Sequence, residues 1–269
     1  KSRSPHRSPK RSSRRRFTLS PLGRSVDPLE NRTLLSGVTQ LADINSGVAA
    51  SFPDSFAKVN GTIFFSANDG VNGNELWKHD VAGGTTTLVK DIQPGPFGFG
   101  ILESTNANGT FFFTANDGSS GQELWTSDGT AAGTVMVKDI NPGSGASYPF
   151  GLTAIGGTVF FHASDGGTQR LWMSDGTEPG TIPVPGAGSD PAWMTAVGST
   201  LYFQGSDGNG EELWKTDGTA SGTMLVKDIN PGSNGSLPEY LVDVNGTLFF
   251  AAEEPLGGRE LWMSDGTPG

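Results

Sequence analysis

The sequence predicts an all-β protein, a β-propeller of five repeats in which each repeat forms a four-stranded antiparallel blade. Three observations support this fold class. A Leu-Trp motif recurs five times, each repeat divides into four short strands, and Asn-Gly, Asp-Gly and Pro-Gly turn signals separate these strands. Four strands within about 40–50 residues are typical of a propeller blade.

Composition excludes several classes of protein. The chain has no Cys, which excludes a disulfide scaffold, a zinc-thiolate site and a cysteine nucleophile. No stretch approaches about 18 consecutive apolar residues, so no transmembrane helix is predicted.

Charge divides the chain into two segments. Residues 1–37 carry 10 Lys or Arg and 2 acidic residues, whereas residues 38–269 carry 8 Lys or Arg and 26 acidic residues. The basic segment has too few apolar residues to form a core, so we predict a disordered leader or targeting segment over 1–37 and a repeat domain over 38–269. A nucleic-acid-binding arm is the alternative for the leader. Because the acidic domain behind it would repel a polyanion, we expect no nucleic-acid partner.

The repeats align on five Trp residues spaced by 48, 47, 42 and 48 positions: Trp77, Trp125, Trp172, Trp214 and Trp262. The predicted blades cover approximately residues 55–92, 103–140, 152–185, 195–229 and 240–269. Every blade must bury its faces against its neighbours. We therefore predict that these Trp side chains pack between blades, rather than stacking on a sugar.

Each repeat begins with a strand such as Tyr240–Val244, which ends at an Asn-Gly dipeptide that favours a tight hairpin turn. The second strand is aromatic and β-branched, as in Thr62–Ser66. After an Asp-Gly loop, the third strand carries Leu-Trp and ends at Asp-Gly-Thr, where the Asp side chain can bond the backbone ahead of it. The fourth strand has the pattern of Thr134–Ile140 and ends at a Pro-Gly loop.

The two ends of the repeat domain complement each other. The fifth repeat stops at Asp265–Gly269, before its fourth strand. Residues Val38–Ile44 resemble that strand, since Gln40–Ile44 reads QLADI where Leu88–Ile92 reads LVKDI. We predict that this N-terminal strand completes the fifth blade and closes the ring, which would remove two open sheet edges. The alternative is a segment of a longer array.

The stretch Glu123–Thr134, ELWTSDGTAAGT, resembles the ELWxxDGT repeat family of bacterial secreted and surface proteins. The resemblance covers Val38 to Gly269. It departs in the first repeat, which has Asp80-Val81-Ala82 in place of Asp-Gly-Thr, and in the third, which has Arg170 in place of Glu. The resemblance implies an extracellular or cell-surface propeller-like module whose biochemical role is largely unassigned.

A second resemblance concerns the leader. Residues Val26–Gly37, VDPLENRTLLSG, are similar to the LEPLE-x-R-x-LLS signature of planctomycete exported and surface proteins, with Asp27 in place of the usual Glu. This resemblance implies export.

Two kinds of binding site are candidates. Trp193 is the one Trp outside the repeat position, in the connection Pro191–Met194, and is a candidate for an exposed stacking residue. Calcium takes carboxylate and carbonyl oxygens in flexible loops. Four Asp-Gly loops offer such carboxylates: Asp69, Asp117, Asp165 and Asp207. A turn-forming Asp-Gly needs no metal, so we predict no obligatory cofactor and keep calcium as an alternative.

An enzyme needs residues that break the repeat, because one reaction centre uses groups in distinct roles. The three His residues, His6, His79 and His162, form no pair at metal-binding spacing. Four non-repeated carboxylates could supply a glycosidase pair in a central funnel: Glu103, Asp190, Glu211 and Glu253.

These observations predict an extracellular or cell-surface propeller that binds or scaffolds without catalysis. The expected partner is a polysaccharide or another cell-surface polymer, and the expected state is a monomeric domain or part of a longer surface protein. The alternatives are a propeller-fold glycoside hydrolase or lyase, and a purely structural module.

Overall fold

Nineteen strands and no helix make up the part of the chain that the structure describes. The structure is a computed structural model, and it describes residues 38–47 and 49–267. The leader predicted over residues 1–37 lies outside these ranges. All of the strands fall within the unit Gln40–Gly269, and no helix of the described residues is long and apolar enough to cross a membrane.

Repeats 1 and 2 are separate four-stranded antiparallel sheets, and in each the strands pair in chain order. Repeat 1 contains β1 (Asp54–Val59), β2 (Thr62–Asn68), β3 (Asn74–Asp80) and β4 (Thr85–Lys90). Repeat 2 contains β5 (Ser104–Ala107), β6 (Thr110–Asn116), β7 (Gln122–Ser127) and β8 (Val135–Lys138).

Repeats 3 and 4 share one eight-stranded sheet. Repeat 3 contains β9 (Phe150–Ile155), β10 (Thr158–Ser164), β11 (Gln169–Ser174) and β12 (Ile182–Pro183). Repeat 4 contains β13 (Ser189–Val197), β14 (Thr200–Ser206), β15 (Glu211–Thr216) and β16 (Met224–Lys227). The two repeats join where β11 pairs with β13 through Arg170 and Ser189.

Repeat 5 has three strands in the described residues: β17 (Glu239–Val244), β18 (Thr247–Glu254) and β19 (Gly258–Ser264). The Asn-Gly turns between first and second strands have the left-handed backbone that this dipeptide favours. The φ angles of Asn60, Asn108 and Asn245 are 53°, 49° and 54°.

The first strands of successive repeats lie side by side. β1 contacts β5, β5 contacts β9, β9 contacts β13, and β13 contacts β17. No comparable contact joins β17 to β1, so the described strands form an open, propeller-like array and not a closed ring.

The N-terminal strand predicted to close the ring is not formed. Residues 38–44 contain no strand, and β19 pairs only with β18 among the described strands. Leu41 and Ile44 instead line a cavity together with Ile63 and Phe65 of repeat 1. The apolar side chains of this segment are therefore used at the opposite end of the array from β19.

Four apolar clusters, one between each pair of consecutive repeats, hold the array together. In the first cluster, Phe64 and Leu76 of repeat 1 meet Phe111, Phe113 and Trp125 of repeat 2. The rings of Phe64 and Phe111 stack with their centroids 4.5 Å apart. The other three clusters use the equivalent positions of the later repeats.

Alternation along the second strand divides its side chains between two interfaces. Side chains of a strand point to opposite faces in turn. In β6, Phe111 and Phe113 belong to the cluster shared with repeat 1, whereas Phe112 belongs to the cluster shared with Phe161 of repeat 3. A run of three aromatic residues therefore supplies both faces of one repeat.

The repeated Trp residues contribute to the same interfaces. Trp125, Trp172 and Trp214 are buried in the first, second and third clusters, and Trp262 packs against the last. Trp77, whose repeat has no preceding repeat in the described residues, is half-buried.

Replacing Phe113 by Ala should lower the free energy of unfolding by about 3–5 kcal/mol, because a buried ring is lost and a cavity remains. The matched control is Phe97→Ala, since Phe97 is 87% exposed and such a substitution changes stability by less than about 0.5 kcal/mol. Urea unfolding followed by Trp fluorescence measures both. Equal losses in the two variants would contradict the packing assigned to β6.

Candidate functional site

The Asp-Gly-Thr motif forms the turn between the third and fourth strands. In repeat 2, Asp128 Oδ1 accepts the N–H of Thr130 at 2.8 Å and its hydroxyl at 2.7 Å. The Thr130 hydroxyl oxygen accepts the N–H of Gly133 at 2.9 Å, and the Thr134 hydroxyl donates to the Thr130 carbonyl at 2.7 Å. Repeats 3 and 4 repeat these bonds. The motif is therefore accounted for by local hydrogen bonding.

The same turn also docks on the preceding repeat. Lys78 Nζ donates to the Gly129 carbonyl at 2.7 Å, and Lys215 Nζ donates to the Gly266 carbonyl at 2.7 Å. Gly129 has φ 87°, and a Cβ there would lie 3.4 Å from the ring of Phe64. Gly is favoured at this position because the backbone is left-handed and the neighbouring repeat is close.

A buried Glu before each of three Leu-Trp pairs holds the loop that follows the fourth strand. Glu75 is fully buried, and its carboxylate accepts the N–H groups of Ile92 at 2.7 Å and Gln93 at 3.2 Å. Glu123 and Glu212 bond the equivalent loops. Glu123 also accepts the Ser147 hydroxyl at 2.5 Å, and Glu212 accepts the Ser236 hydroxyl at 2.5 Å.

Burial changes the protonation of these carboxyls. Desolvation raises the pKa of Glu75 to about 8, against the opposing effect of the backbone N–H bonds, and the nearby charge of Asp91 adds to the rise. Desolvation raises the pKa of Glu123 to about 6. Hydrogen bonds from the hydroxyl and the N–H of Ser147 partly offset this rise.

Repeat 3 lacks this Glu because it lacks the long loop. Its connection to repeat 4 is short, with the Val184 N–H donating to the Leu171 carbonyl at 2.8 Å. Arg170, at the Glu position, is exposed and pairs through its backbone with Ser189 of β13. The short connection also explains the 42-residue spacing of the Trp residues at this point.

The four Asp proposed for calcium lie in separate repeats, and each bonds its own loop. Asp117 Oδ1 accepts the N–H groups of Ser119 at 2.8 Å and Ser120 at 2.7 Å, and Asp69 makes the equivalent bonds. Desolvation raises the pKa of Asp117, but these hydrogen bonds outweigh it and the pKa lies below its ordinary value. Asp165 and Asp207 each accept one loop N–H.

No group of three or more His, Asp or Glu side chains within residues 38–47 and 49–267 is arranged to hold a metal ion. Calcium binding by these loops stays a prediction.

Trp193 lies on an exposed aromatic surface. Its side chain is 42% exposed, and its ring centroid is 4.7 Å from that of Tyr240, which is 65% exposed. Phe150 is also exposed and meets the ring of His162 edge-on at 5.3 Å. A cavity of about 560 Å3 lies between the Phe150–His162 pair and Trp193. It is lined by Phe150, Gly151, His162, Pro191, Ala192, Trp193 and Met194. We call Phe150, His162, Trp193 and Tyr240 the aromatic patch.

Irregular backbone positions the patch. The segment Pro191–Met194, expected to be a connection, is part of β13, and the pairing of β13 with β14 shifts register on both sides of Ala192. Trp193 and Tyr240 have φ angles of 52° and 57°. Bulges re-aim side chains, and left-handed backbone at residues other than Gly costs about 1–3 kcal/mol. The equivalent residues, Ser55 of β1 and Gly151 of β9, have φ angles of 54° and 70°, so this left-handed backbone recurs with the repeat.

The sequence predicts Trp193 as an exposed residue but does not predict its companions in the aromatic patch. It places Tyr240 in a first strand, Tyr240–Val244, and it begins the third blade at about residue 152, after Phe150. The bulge that turns these rings outward recurs in β1, β9, β13 and β17, but the residue types at the bulge differ between repeats.

The four carboxylates proposed as a glycosidase pair lie in different surroundings. Desolvation raises the pKa of Glu103, which lies near His162 of the aromatic patch. Glu253 lies 3.7 Å from Arg259, and the backbone carbonyl of Glu211 accepts the N–H of Ser236. Asp190 is exposed on β13, three residues before Trp193. His79 is buried, with Nδ1 2.9 Å from the Thr86 hydroxyl, and His6 lies outside the described residues.

Neither a family model nor a curated protein matches this chain. Among solved structures, it is similar to a prolyl endopeptidase, with 14% identity, a TM-score of 0.52, and coverage of 87% of this chain and 37% of that chain. Oligopeptidase B from Leishmania major has 11% identity and a TM-score of 0.52, and the match covers 85% of this chain and 34% of that chain. TolB from Acinetobacter baumannii has 15% identity and a TM-score of 0.42, and the match covers 80% of this chain and 55% of that chain.

The chain thus spans about a third of the length of the two peptidases. At this identity the likeness concerns the fold alone, and it supports an all-β, propeller-like architecture.

The stability of the protein should fall as pH rises from about 4.5 to about 8. In that window the folded state keeps a proton on Glu75 that the unfolded state has lost, so stability decreases with pH. Urea unfolding across this range measures the slope, which Glu75→Gln should flatten. Glu260→Gln is the matched control, because Glu260 holds the same position in repeat 5 and is exposed. An unchanged slope in Glu75→Gln would contradict the raised pKa.

Proposed function

We propose that this chain is an exported, extracellular or cell-surface protein whose five repeats act as propeller blades and whose aromatic patch binds a polysaccharide or a similar surface polymer without catalysis. The observation that carries the proposal is the group of exposed rings on the first strands of repeats 3, 4 and 5. Exposed apolar patches with this clustering mark interaction sites.

The chemistry of the patch favours a ligand with flat apolar faces. Trp and Tyr supply large, rigid contact areas at a small cost in conformational entropy. The C–H faces of sugar rings offer such a surface, and hydroxyl groups at their edges can reach polar neighbours. Asp190 on β13 and the Arg259–Glu239 ion pair beside Tyr240 are the polar groups at hand.

The repeated residues support a binding role by elimination. The Asp-Gly-Thr turns and the buried Glu residues are used within the fold, so they are not free to bind a ligand. The exposed rings of Trp193 and Tyr240, by contrast, do not recur, because Ser55 and Gly151 hold the equivalent positions in repeats 1 and 3.

Export rests on the leader and on the two resemblances. The acidic repeat domain fits a secreted protein, because net charge far from zero keeps copies apart in solution.

A glycoside hydrolase or lyase is the alternative, and one observation favours it. Glu103 has a raised pKa and lies near His162 of the aromatic patch. A raised pKa is one of the properties that a general acid requires. Reducing ends released from a bound polysaccharide, and lost in Glu103→Gln, would replace the binding proposal with this one.

Trp193→Asn and Tyr240→Asn should each weaken polysaccharide binding by about 30-fold, since truncating an aromatic hot spot costs roughly 2 kcal/mol. Asn removes the ring but tolerates the left-handed backbone at these positions. Gel retardation with a neutral glucan, a xylan and an alginate measures binding, and Tm checks the fold. Phe97→Ala is the matched control, an exposed aromatic ring outside the patch. Absence of retardation by all three polymers, or an equal loss in Phe97→Ala, would overturn the proposal.

A further inference from the structure

Trp193 and Tyr240 of the aromatic patch lie on strands that also carry carboxylates. Asp190 is exposed on β13, three residues before Trp193. Glu239 immediately precedes Tyr240 on β17. Because β13 and β17 are neighbouring first strands, both rings and both acidic residues belong to one region of the array.

Arg259 is a basic side chain in this region, and its charge is already paired. Its guanidinium forms an ion pair with Glu239 and lies 3.7 Å from Glu253. It also lies within electrostatic range of Tyr240. Two carboxylates around one guanidinium leave an excess of one negative charge beside the Tyr240 ring.

Most other basic side chains of the repeat domain are also used within the fold. Arg170 lies 4.0 Å from Asp165. Four lysines donate to backbone carbonyls of the following repeat at 2.7 to 3.0 Å: Lys78, Lys90, Lys138 and Lys215. With Arg259, these contacts engage six of the 8 Lys and Arg of residues 38–269, which face 26 acidic residues. The charge that this domain offers to a ligand is therefore negative.

Aromatic rings beside carboxylates suit a cation. An ammonium group over the face of Trp or Tyr is attracted by the ring, and clustered aromatic side chains bind such groups in many proteins. The ring centroids of Trp193 and Tyr240 are 4.7 Å apart, so the two rings form one aromatic surface. An ammonium group on this surface would also be attracted by Asp190, whereas the carboxylate of an acidic sugar would be repelled.

We propose that the ligand of the aromatic patch is a polysaccharide of amino sugars, whose amino groups are protonated. This inference rests on the proposed function, because it names the class of polysaccharide that the patch binds. The sugar rings stack on Trp193 and Tyr240, and the ammonium groups meet Asp190 and the negative excess around Arg259. A neutral polymer keeps the stacking but loses the charge contacts, so it binds more weakly, and an acidic polymer binds most weakly.

The test titrates the full chain, by calorimetry, with a glucosamine hexamer and with the N-acetylated hexamer of the same linkage. Acetylation removes the positive charge of an amine and keeps the sugar chain. In slightly acidic buffer at low salt, the glucosamine hexamer should bind about tenfold more tightly. This advantage should disappear between about 0.01 M and about 1 M salt, because the Debye length falls from about 30 Å to about 3 Å.

Three variants separate the charge from the rings. Asp190→Asn should weaken binding of the glucosamine hexamer about threefold, as expected for an exposed ion pair, and leave the N-acetylated hexamer unchanged. Asn also tolerates the left-handed backbone at this position, where φ is 55°. Trp193→Asn should weaken binding of both hexamers. The matched control is Glu178→Gln, in the turn between β11 and β12, since Glu178 is an exposed carboxylate outside the patch. Equal losses in Asp190→Asn and Glu178→Gln would overturn the role given to Asp190.

The outcomes distinguish this inference from the proposed function. Equal affinity for the two hexamers would overturn the amino-sugar ligand and leave polysaccharide binding by the patch intact. Binding of neither hexamer would also overturn the amino-sugar ligand, and the proposed function falls with it if no glucan, xylan or alginate binds. Hexalysine is the charge control. If it binds as tightly as the glucosamine hexamer, the surface selects positive charge without a sugar, and the proposal is wrong.

Discussion

The structure depends on burial of aromatic and aliphatic side chains between consecutive repeats. A four-stranded sheet has two faces, and one repeat alone can cover neither. The pleat sends Phe111 and Phe113 to one neighbour and Phe112 to the other, so each repeat is completed by the repeats beside it. The Trp of the third strand adds to the same interfaces. Strand pairing shapes each sheet, but this packing orders the sheets into an array.

The buried Glu carboxylates and the turn backbone allow such close packing because they are satisfied locally, whereas the indole N–H groups of Trp125, Trp172 and Trp214 have no hydrogen-bond partner among the described residues. The buried Glu residues accept N–H groups of the loops that cross between repeats, and the Asp-Gly-Thr turns bond their own backbone. Buried donors left without partners would be costly. The most conspicuous motif of the sequence is therefore explained by the fold, and the binding function is sought in residues that do not recur.

The all-β class and the propeller-like arrangement could be predicted from sequence because spacing and alternation are repeated five times. Whether Gln40–Ile44 pairs with β19 could not be predicted, because this pairing depends on whether distant repeats meet. Similar strand patterns do not determine the curvature of the array. The candidate site was predicted only at Trp193. Phe150 and Tyr240 join it through a bulge that recurs in β1, β9, β13 and β17, and the residue types at that bulge differ so much between repeats that the sequence does not reveal it.

Repeats 2, 3 and 4 each pack against a neighbouring repeat at both faces. In an array with nearest-neighbour coupling, local opening is hardest for a repeat that has a partner on both sides. Amide hydrogens of the buried second strands β6, β10 and β14 will therefore be among the last to exchange with solvent, and proteases will cut the surface loops before they reach these strands.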